Sequence, residues 1–263
     1  MSVTARAEGS TVLLAVSLKM YFDPARTAHW IAQVAEIART HPAIVDGAAE
    51  LVILPSFPSL PAVLNTVAGT PIRVGAQNLH YEDRGPFTGE VSGADLHQLG
   101  VHYVEVGHSE RRRHFGEDDD MVRRKVRAAW RNQLVPILCV GEPTHVTAAD
   151  AGRECVRQLD AALPGVAGQA SPPPPLAIAY EPEWSIGTEQ PADIEHITTV
   201  LATIRTHLDA TNAPSDATII YGGSAGEGLL RELGAAADGL FLGRFVHEPM
   251  ALKAILDESV EAR

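Results

Sequence analysis

Leu176-Ala177-Ile178-Ala179-Tyr180-Glu181-Pro182-Glu183-Trp184-Ser185-Ile186-Gly187-Thr188 reads as a short buried strand, Leu176 to Tyr180, that ends on one carboxylate and runs into a loop. An uncharged run of this length fits a strand covered on both faces. Pro182 opens the loop, Gly187 lies near its other end, and an amphipathic pattern over Ala192–Leu208 predicts a helix beyond it. The unit is therefore strand, loop, helix, with Glu181 at the C-terminal tip of the strand. A carboxylate beside a loop that closes suits proton abstraction, because closure expels water and strengthens the base. Gly187, without a Cβ, lets a backbone N–H approach an anion closely. Taken alone, Ala179–Thr188 suits a solvated loop with an unengaged glutamate as well.

The same unit recurs along the chain. Apolar or β-branched runs predict strands near Thr11–Ser17, Glu50–Leu54, Ile72–Gly75, His102–Val106, Leu134–Val140, Leu176–Tyr180, Ala217–Gly222 and Gly239–Leu242. Helical patterns follow each one, over Pro24–Arg39, Leu60–Val67, Gly93–Leu99, Asp118–Arg131, Ala148–Leu163, Ala192–Leu208, Gly226–Leu233 and Glu248–Val260. Eight successive units predict an α/β protein with a single (β/α)₈ barrel, whose active sites sit on the loops after the strands. A doubly wound open sheet is the second arrangement that the alternation allows. Pro172–Pro175 reads as a surface connection, because the alternation resumes directly after it. One barrel domain is expected over residues 11–263, preceded by a loose tail at Met1–Ser10.

The chain has 263 residues, 45% hydrophobic and 21% charged, enough to bury a large core. Its formal net charge of −12 argues against nucleic acid and anionic membranes as partners. An anionic ligand would need a locally positive site against that background. No apolar run is long enough to span a bilayer, and Met1–Ser10 lacks the basic flank and apolar stretch of a secretory signal, so a cytoplasmic location is expected. Cys139 and Cys155 form neither a disulfide framework nor a metal spacing, and reduced thiols are expected.

Other strand ends carry chemistry as well. The first delivers Ser17-Leu18-Lys19-Met20, and a lysine at a strand tip can hold an anion or simply face solvent. The fourth delivers Gly107-His108-Ser109-Glu110-Arg111-Arg112; a histidine there serves as a structural hydrogen-bonder or as a catalyst. Glycines at Tyr221-Gly222-Gly223-Ser224 and at Gly239-Leu240-Phe241-Leu242-Gly243-Arg244 offer backbone N–H groups to an anion. Gly75-Ala76-Gln77-Asn78 and Phe87-Thr88-Gly89-Glu90-Val91-Ser92 mark a long third loop, where Gln77 and Asn78 equally suit turn capping. Ile137-Leu138-Cys139-Val140-Gly141-Glu142 is assigned to packing.

In order and position these motifs resemble the triosephosphate isomerases over essentially Thr11 to Val260. The resemblance implies an aldose–ketose isomerase of a short phosphorylated sugar with no metal or organic cofactor. Glu181 would be the base that takes a proton from the carbon next to the carbonyl. His108 would polarise the carbonyl and shuttle protons between the two oxygens, Lys19 would stabilise the enediolate, and Glu110 would orient or relay protons near Lys19. A neutral histidine held so by a helix N-terminus is the standard example that this family supplies, so that expectation is borrowed from the family. Pro182, Trp184 and Ile186 would form the lid and Tyr221 would steady it when closed. Backbone groups of Gly187, Ser224 and Gly243 would hold the phosphate. The third loop, Gln77 to Glu90, would make a homodimer, with Thr88 and Glu90 at the interface. Arg111 and Arg112 would form ion pairs that fix their loop.

The sequence departs from the family around the pocket. Ser17 stands where the family has asparagine, Glu105 is an acid that the usual pattern lacks, Glu189-Gln190-Pro191 alters the end of the lid, and Arg244 replaces a glycine. Ser17 opens room near the reacting end, and Arg244 either faces solvent or adds donors to the phosphate or an extra hydroxyl. These departures suit a longer, more hydroxylated ligand, a four-carbon erythrulose phosphate in place of a triose phosphate. The rival expectation is an inactive barrel that binds a phosphorylated metabolite as a sensor.

Overall fold

The computed structural model describes residues 11–163, 174–188, 191–211 and 217–261. The expectations placed on Met1–Ser10, Pro172, Pro173, Glu189 and Gln190 lie outside the described residues. Eight parallel strands close into a barrel in chain order: β1 (Val12–Ser17), β2 (Ala49–Leu54), β3 (Arg73–Ala76), β4 (Tyr103–Val106), β5 (Val135–Val140), β6 (Ala177–Tyr180), β7 (Thr218–Tyr221) and β8 (Gly239–Leu242). Leu13 of β1 is in register with Gly239 of β8, which closes the ring. The open-sheet alternative is excluded by that pairing.

Helices surround the barrel, and local chemistry sets where they start. Asp23 accepts from the Arg26 N–H and Pro24 occupies the first turn of Pro24–Thr40. Asp118 caps Asp119–Arg131 through the Met121 N–H, and Thr147 caps Ala148–Ala162 through that of Asp150. The helix expected over Gly226–Leu233 is only Leu229–Leu233, because Gly228 adopts a left-handed φ of 89° that ends any regular turn before it.

Period-two alternation sorts each strand into an outward and an inward row. Leu14, Val16, Val104, Val106, Ile178 and Tyr180 face the helices and join the large outer core. Leu13, Ala15, Tyr103, Ile137, Cys139, Ala177 and Ala179 face the barrel axis. Both rows are buried, which is why the strands read as continuous apolar runs. The inward rows are odd-numbered on β1, β4 and β6, so their next positions toward the C-terminal rim are Ser17, Glu105 and Glu181. Parity alone thus brings a hydroxyl and two carboxylates to the top of the barrel.

Candidate active site

An open cleft of about 860 Å³ at that rim is lined by Ser17, Lys19, His108, Glu110, Glu181, Gly187, Ser224, Gly243 and Arg244 among others. Every catalytic or phosphate-binding residue expected from the sequence therefore meets in one cavity.

Glu181 is buried, with its backbone N–H donating to the Val140 carbonyl at 2.8 Å. Its neighbours are backbone with no room for side chains: a Cβ on Gly141 would collide with the Glu181 carbonyl, and one on Gly222 would lie 2.8 Å from Glu181 Cγ. The base is thus placed by close packing of strand ends. Its Oε1 lies 3.5 Å from His108 Nε2, and its buried Oε2 has no hydrogen-bond partner among the described residues. A buried carboxylate oxygen without a protein donor is costly to keep, and its lone pairs are open to a ligand.

His108 caps the helix Ser109–Phe115. The Glu110 N–H donates to its Nδ1 at 3.1 Å, so in the neutral ring the proton sits on Nε2, facing Glu181. Glu105 Oε1 is 3.9 Å from the same Nε2. Sequence reasoning expects the helix end to hold this histidine below its ordinary pKa, and the structure corrects that expectation. Burial does act downward, but the charges of Glu181 and Glu105 outweigh it and push the imidazole up to about 9. Two carboxyl groups within 4 Å, Glu181 first, outweigh the partial charge of a short helix, although burial raises Glu105 above the ordinary carboxylate value. The Glu110 N–H decides which nitrogen holds the single proton; the carboxylates decide how tightly a second is held.

Lys19 has φ 48°, outside the comfortable range for a residue with a side chain. Gln77 stabilises that turn, its Nε2 donating to the carbonyls of Lys19 at 3.0 Å and Leu54 at 2.9 Å. Lys19 Nζ bonds Glu110 Oε1 at 2.9 Å. Burial opposes its charge, yet the Glu110 hydrogen bond and the fields of Glu181, Glu110 and Glu105 hold the ammonium above its ordinary pKa. Burial raises Glu110, but Lys19 holds it below the ordinary carboxylate value on balance. The locally positive element that an anion needs is thus a permanently charged lysine.

The lid leaves β6 as a turn at Glu183–Ser185. Trp184 Nε1 donates to Glu142 Oε1 at 2.7 Å, and the Tyr180 hydroxyl reaches both Glu142 oxygens at 3.2 Å. His196 Nε2 lies 3.3 Å from the same carboxylate. Glu142, assigned to packing from the sequence, is therefore the buried anchor of the lid hinge. The far end is held by Tyr221, whose hydroxyl accepts from the Ala192 N–H at 3.2 Å. Ser224 Oγ sits 2.8 Å from the carbonyls of both Ser185 and Thr188. Arg244 turns into the cleft: its guanidinium donates to the Gly187 carbonyl at 3.0 Å and lies 6.0 Å over the Tyr21 ring. Arg244 is exposed, as one of the two expectations had it, and its hydrogen bond goes to the lid.

A family model described as triosephosphate isomerase matches residues 12–259. The chain belongs to the triosephosphate isomerase family. It is 49% identical over 246 residues to the L-erythrulose-1-phosphate isomerase of Pectobacterium atrosepticum, covering 94% of this chain and 95% of that one. It is 39% identical over 249 residues to a triosephosphate isomerase of Synechococcus, covering 94% and 96%, and 43% identical over 201 residues to that of Moorella thermoacetica, covering 75% and 80%. As a member of this family it is a sugar-phosphate isomerase, and an inactive sensor finds no support.

Within the family frame, one sequence expectation changes. Ser17 does not open empty space: its Oγ donates to Glu105 Oε2 at 3.0 Å, and a carboxylate fills the volume. Of the two readings open to Gln77 and Asn78, their contacts match the structural one. Gln77 secures Lys19, and Asn78 Oδ1 accepts from the buried Lys125 at 2.7 Å. Thr88 and Glu90 are exposed at the tip of that loop. Arg111 and Arg112 do form the expected ion pairs, with Glu117 and, at 2.7 Å, with Asp119. Both cysteines are free and buried. Among the described residues no helix is long and apolar enough to cross a membrane, and no cluster of three or more His, Cys, Asp or Glu has the geometry of a metal site.

Proposed function

We propose that this isomerase converts erythrulose 1-phosphate into erythrulose 4-phosphate through a 2,3-enediolate, with Glu181 as base. The observation that carries the chemistry is Glu181, its Oε2 without a hydrogen-bond partner among the described residues, in a cleft shared with His108 and Lys19. The observation that favours four carbons over three is the 49% identity to an L-erythrulose-1-phosphate isomerase, together with the buried Ser17–Glu105 pair beside the reacting groups.

Erythrulose 1-phosphate carries its ketone at C2 and a carbinol at C3. Glu181 takes the C3 proton, and electrons move into the C2 carbonyl, whose oxygen receives the His108 Nε2 proton. Lys19 offsets the negative charge that builds on that oxygen. Protonation of C2 by Glu181, with His108 recovering its proton from the C3 hydroxyl, leaves the ketone at C3. Numbered from the other end, the product is erythrulose 4-phosphate. Atoms and electrons balance without a cofactor. The backbone N–H groups of Gly187, Ser224 and Gly243 hold the phosphate, and Trp184, Ile186 and Tyr221 keep the lid shut over it.

The protein works as a homodimer in the cytoplasm, its exposed third-loop tip around Phe87–Glu90 serving as the contact; a solution mass of one chain would contradict the dimer. The substrate is tested by following erythrulose 1-phosphate and dihydroxyacetone phosphate by NMR in deuterated water. Deuterium at the carbinol carbon and a moved ketone are expected for the first. Rapid turnover of triose phosphates with none of the four-carbon compound would overturn the proposal.

A further inference from the structure

Ser17 and Glu105 are the buried polar residues at the reacting end that the proton transfer leaves unused, with 3% and 4% of their surfaces exposed. A carboxylate on the barrel axis is expensive to desolvate unless something uses it. Among the described residues it accepts from the Ser17 hydroxyl at 3.0 Å and stands 3.9 Å from His108 Nε2. Ser17 and His108 line the cleft and Glu105 does not, so Glu105 acts on a ligand through these two neighbours, and Ser17 is the one it hydrogen-bonds.

We propose that Ser17 and Glu105 together form the subsite that reads the hydroxyl on the substrate carbon farthest from the phosphate. The proposal rests on the four-carbon substrate proposed above. Because Ser17 donates its single proton to Glu105, its Oγ shows the cleft only lone pairs. The pocket wall there is an acceptor, and what it wants is an O–H donor. An asparagine at this position would present amide N–H donors, so the exchange to serine plus glutamate reverses the polarity of the wall. A terminal hydroxymethyl group satisfies the acceptor, whereas a triose phosphate, one carbon shorter, leaves it unpaired. Unmet polar groups discriminate more strongly than an added methylene does. Glu105 is accordingly a positioning residue, and Ser17 the contact.

The test compares kcat/KM for erythrulose 1-phosphate with that for its 4-deoxy analogue, which has the same carbons and lacks only that hydroxyl. The native enzyme is expected to favour the hydroxylated compound by at least about tenfold. Ser17→Ala removes the acceptor. Glu105→Gln donates its amide to Ser17 and turns the serine proton into the cleft. Each is expected to reduce the preference to within about threefold, with the loss on the hydroxylated substrate appearing in KM more than in kcat. Ser17→Ala removes one oxygen and leaves the barrel walls in place, so it decides the matter even if Glu105→Gln fails to fold. A preference that survives Ser17→Ala shows that the hydroxyl is read elsewhere. One that survives Glu105→Gln alone shows that Glu105 does not set the polarity. If the native enzyme turns over triose phosphate and neither four-carbon compound, the substrate assignment falls, and the subsite with it.

Discussion

Ser17 and Glu105 stand 88 positions apart in sequence and share one buried hydrogen bond of 3.0 Å on the barrel axis. Two departures from the family are thus one compensated exchange. Ser17→Asn alone must press a larger amide against the Glu105 carboxylate. We expect it to destabilise the fold by about 1–3 kcal/mol, the usual cost of overpacking a closed core. Replacing Glu105 with valine in the same chain should recover part of that loss. Thermal unfolding of both single variants and the double closes the cycle; strictly additive changes would show that the two sites do not interact.

Glu181→Gln keeps the shape of the base and removes its ability to accept a proton. Turnover should fall by roughly 10²–10⁴-fold with the fold unchanged. Steady-state kinetics beside a melting curve checks this, and activity within about threefold of native would remove Glu181 from the role of base.

Burial lowers His108, but Glu181 and Glu105 outweigh it and hold the imidazole up at about 9. A folded pKa above the ordinary 6.5 means that the bound proton stabilises the fold. That stabilisation is complete below about pH 6.5 and is lost as pH rises through 9. Histidine NMR on the unliganded protein should show one ring titrating well above the ordinary value. In Glu181→Gln the midpoint should move down, since the nearest opposing charge has gone. An unmoved midpoint would assign the upward shift to something else.

Arg244 donates to the Gly187 carbonyl from the far side of the cleft. Arg244→Ala should free the lid without touching the base. The exposed bond is worth about 0.5–1.5 kcal/mol, so affinity for inorganic phosphate or a phosphorylated inhibitor should weaken up to about tenfold. Lid opening, followed by the fluorescence of Trp184, should quicken. Unchanged affinity and unchanged opening together would leave the latch without function.

Glu142 gathers Trp184, Tyr180 and His196 on one buried carboxylate. Glu142→Ala leaves the Trp184 N–H without its acceptor and leaves Tyr180 and His196 with each other at 3.1 Å, at about 1–3 kcal/mol for each group stranded. We expect a lower melting temperature together with a loss of turnover, because the same residues carry the lid hinge. A melting temperature as in the native protein would contradict the anchor.

Much of this molecule was legible in one dimension. Barrel strands buried on both faces are continuous apolar runs, helices are amphipathic, and their alternation identifies the architecture with no coordinates. Lys19, His108 and Glu181 each end such a run, and the C-terminal ends of strands in this architecture open on a common cavity. The sequence also marked Ser17, Glu105 and Arg244 as unusual. The parity of β4 carried one further signal, since Tyr103 and Glu105 share the inward row and an acid in that row has to be matched by something.

What an unusual residue touches lay beyond the sequence. Ser17 meets Glu105, Arg244 meets Gly187, and Glu142 meets Trp184 only because the ring closes and its loops fold over one rim. The charge on His108 has the same origin: local sequence shows a helix N-terminus pressing it toward neutrality, while Glu181 and Glu105 arrive from β6 and within β4 to pull the other way. Periodicity is a property of neighbours along the chain and survives in the sequence. Hydrogen-bond partners and fields fall off over a few ångströms in space, so only the closed barrel decides them.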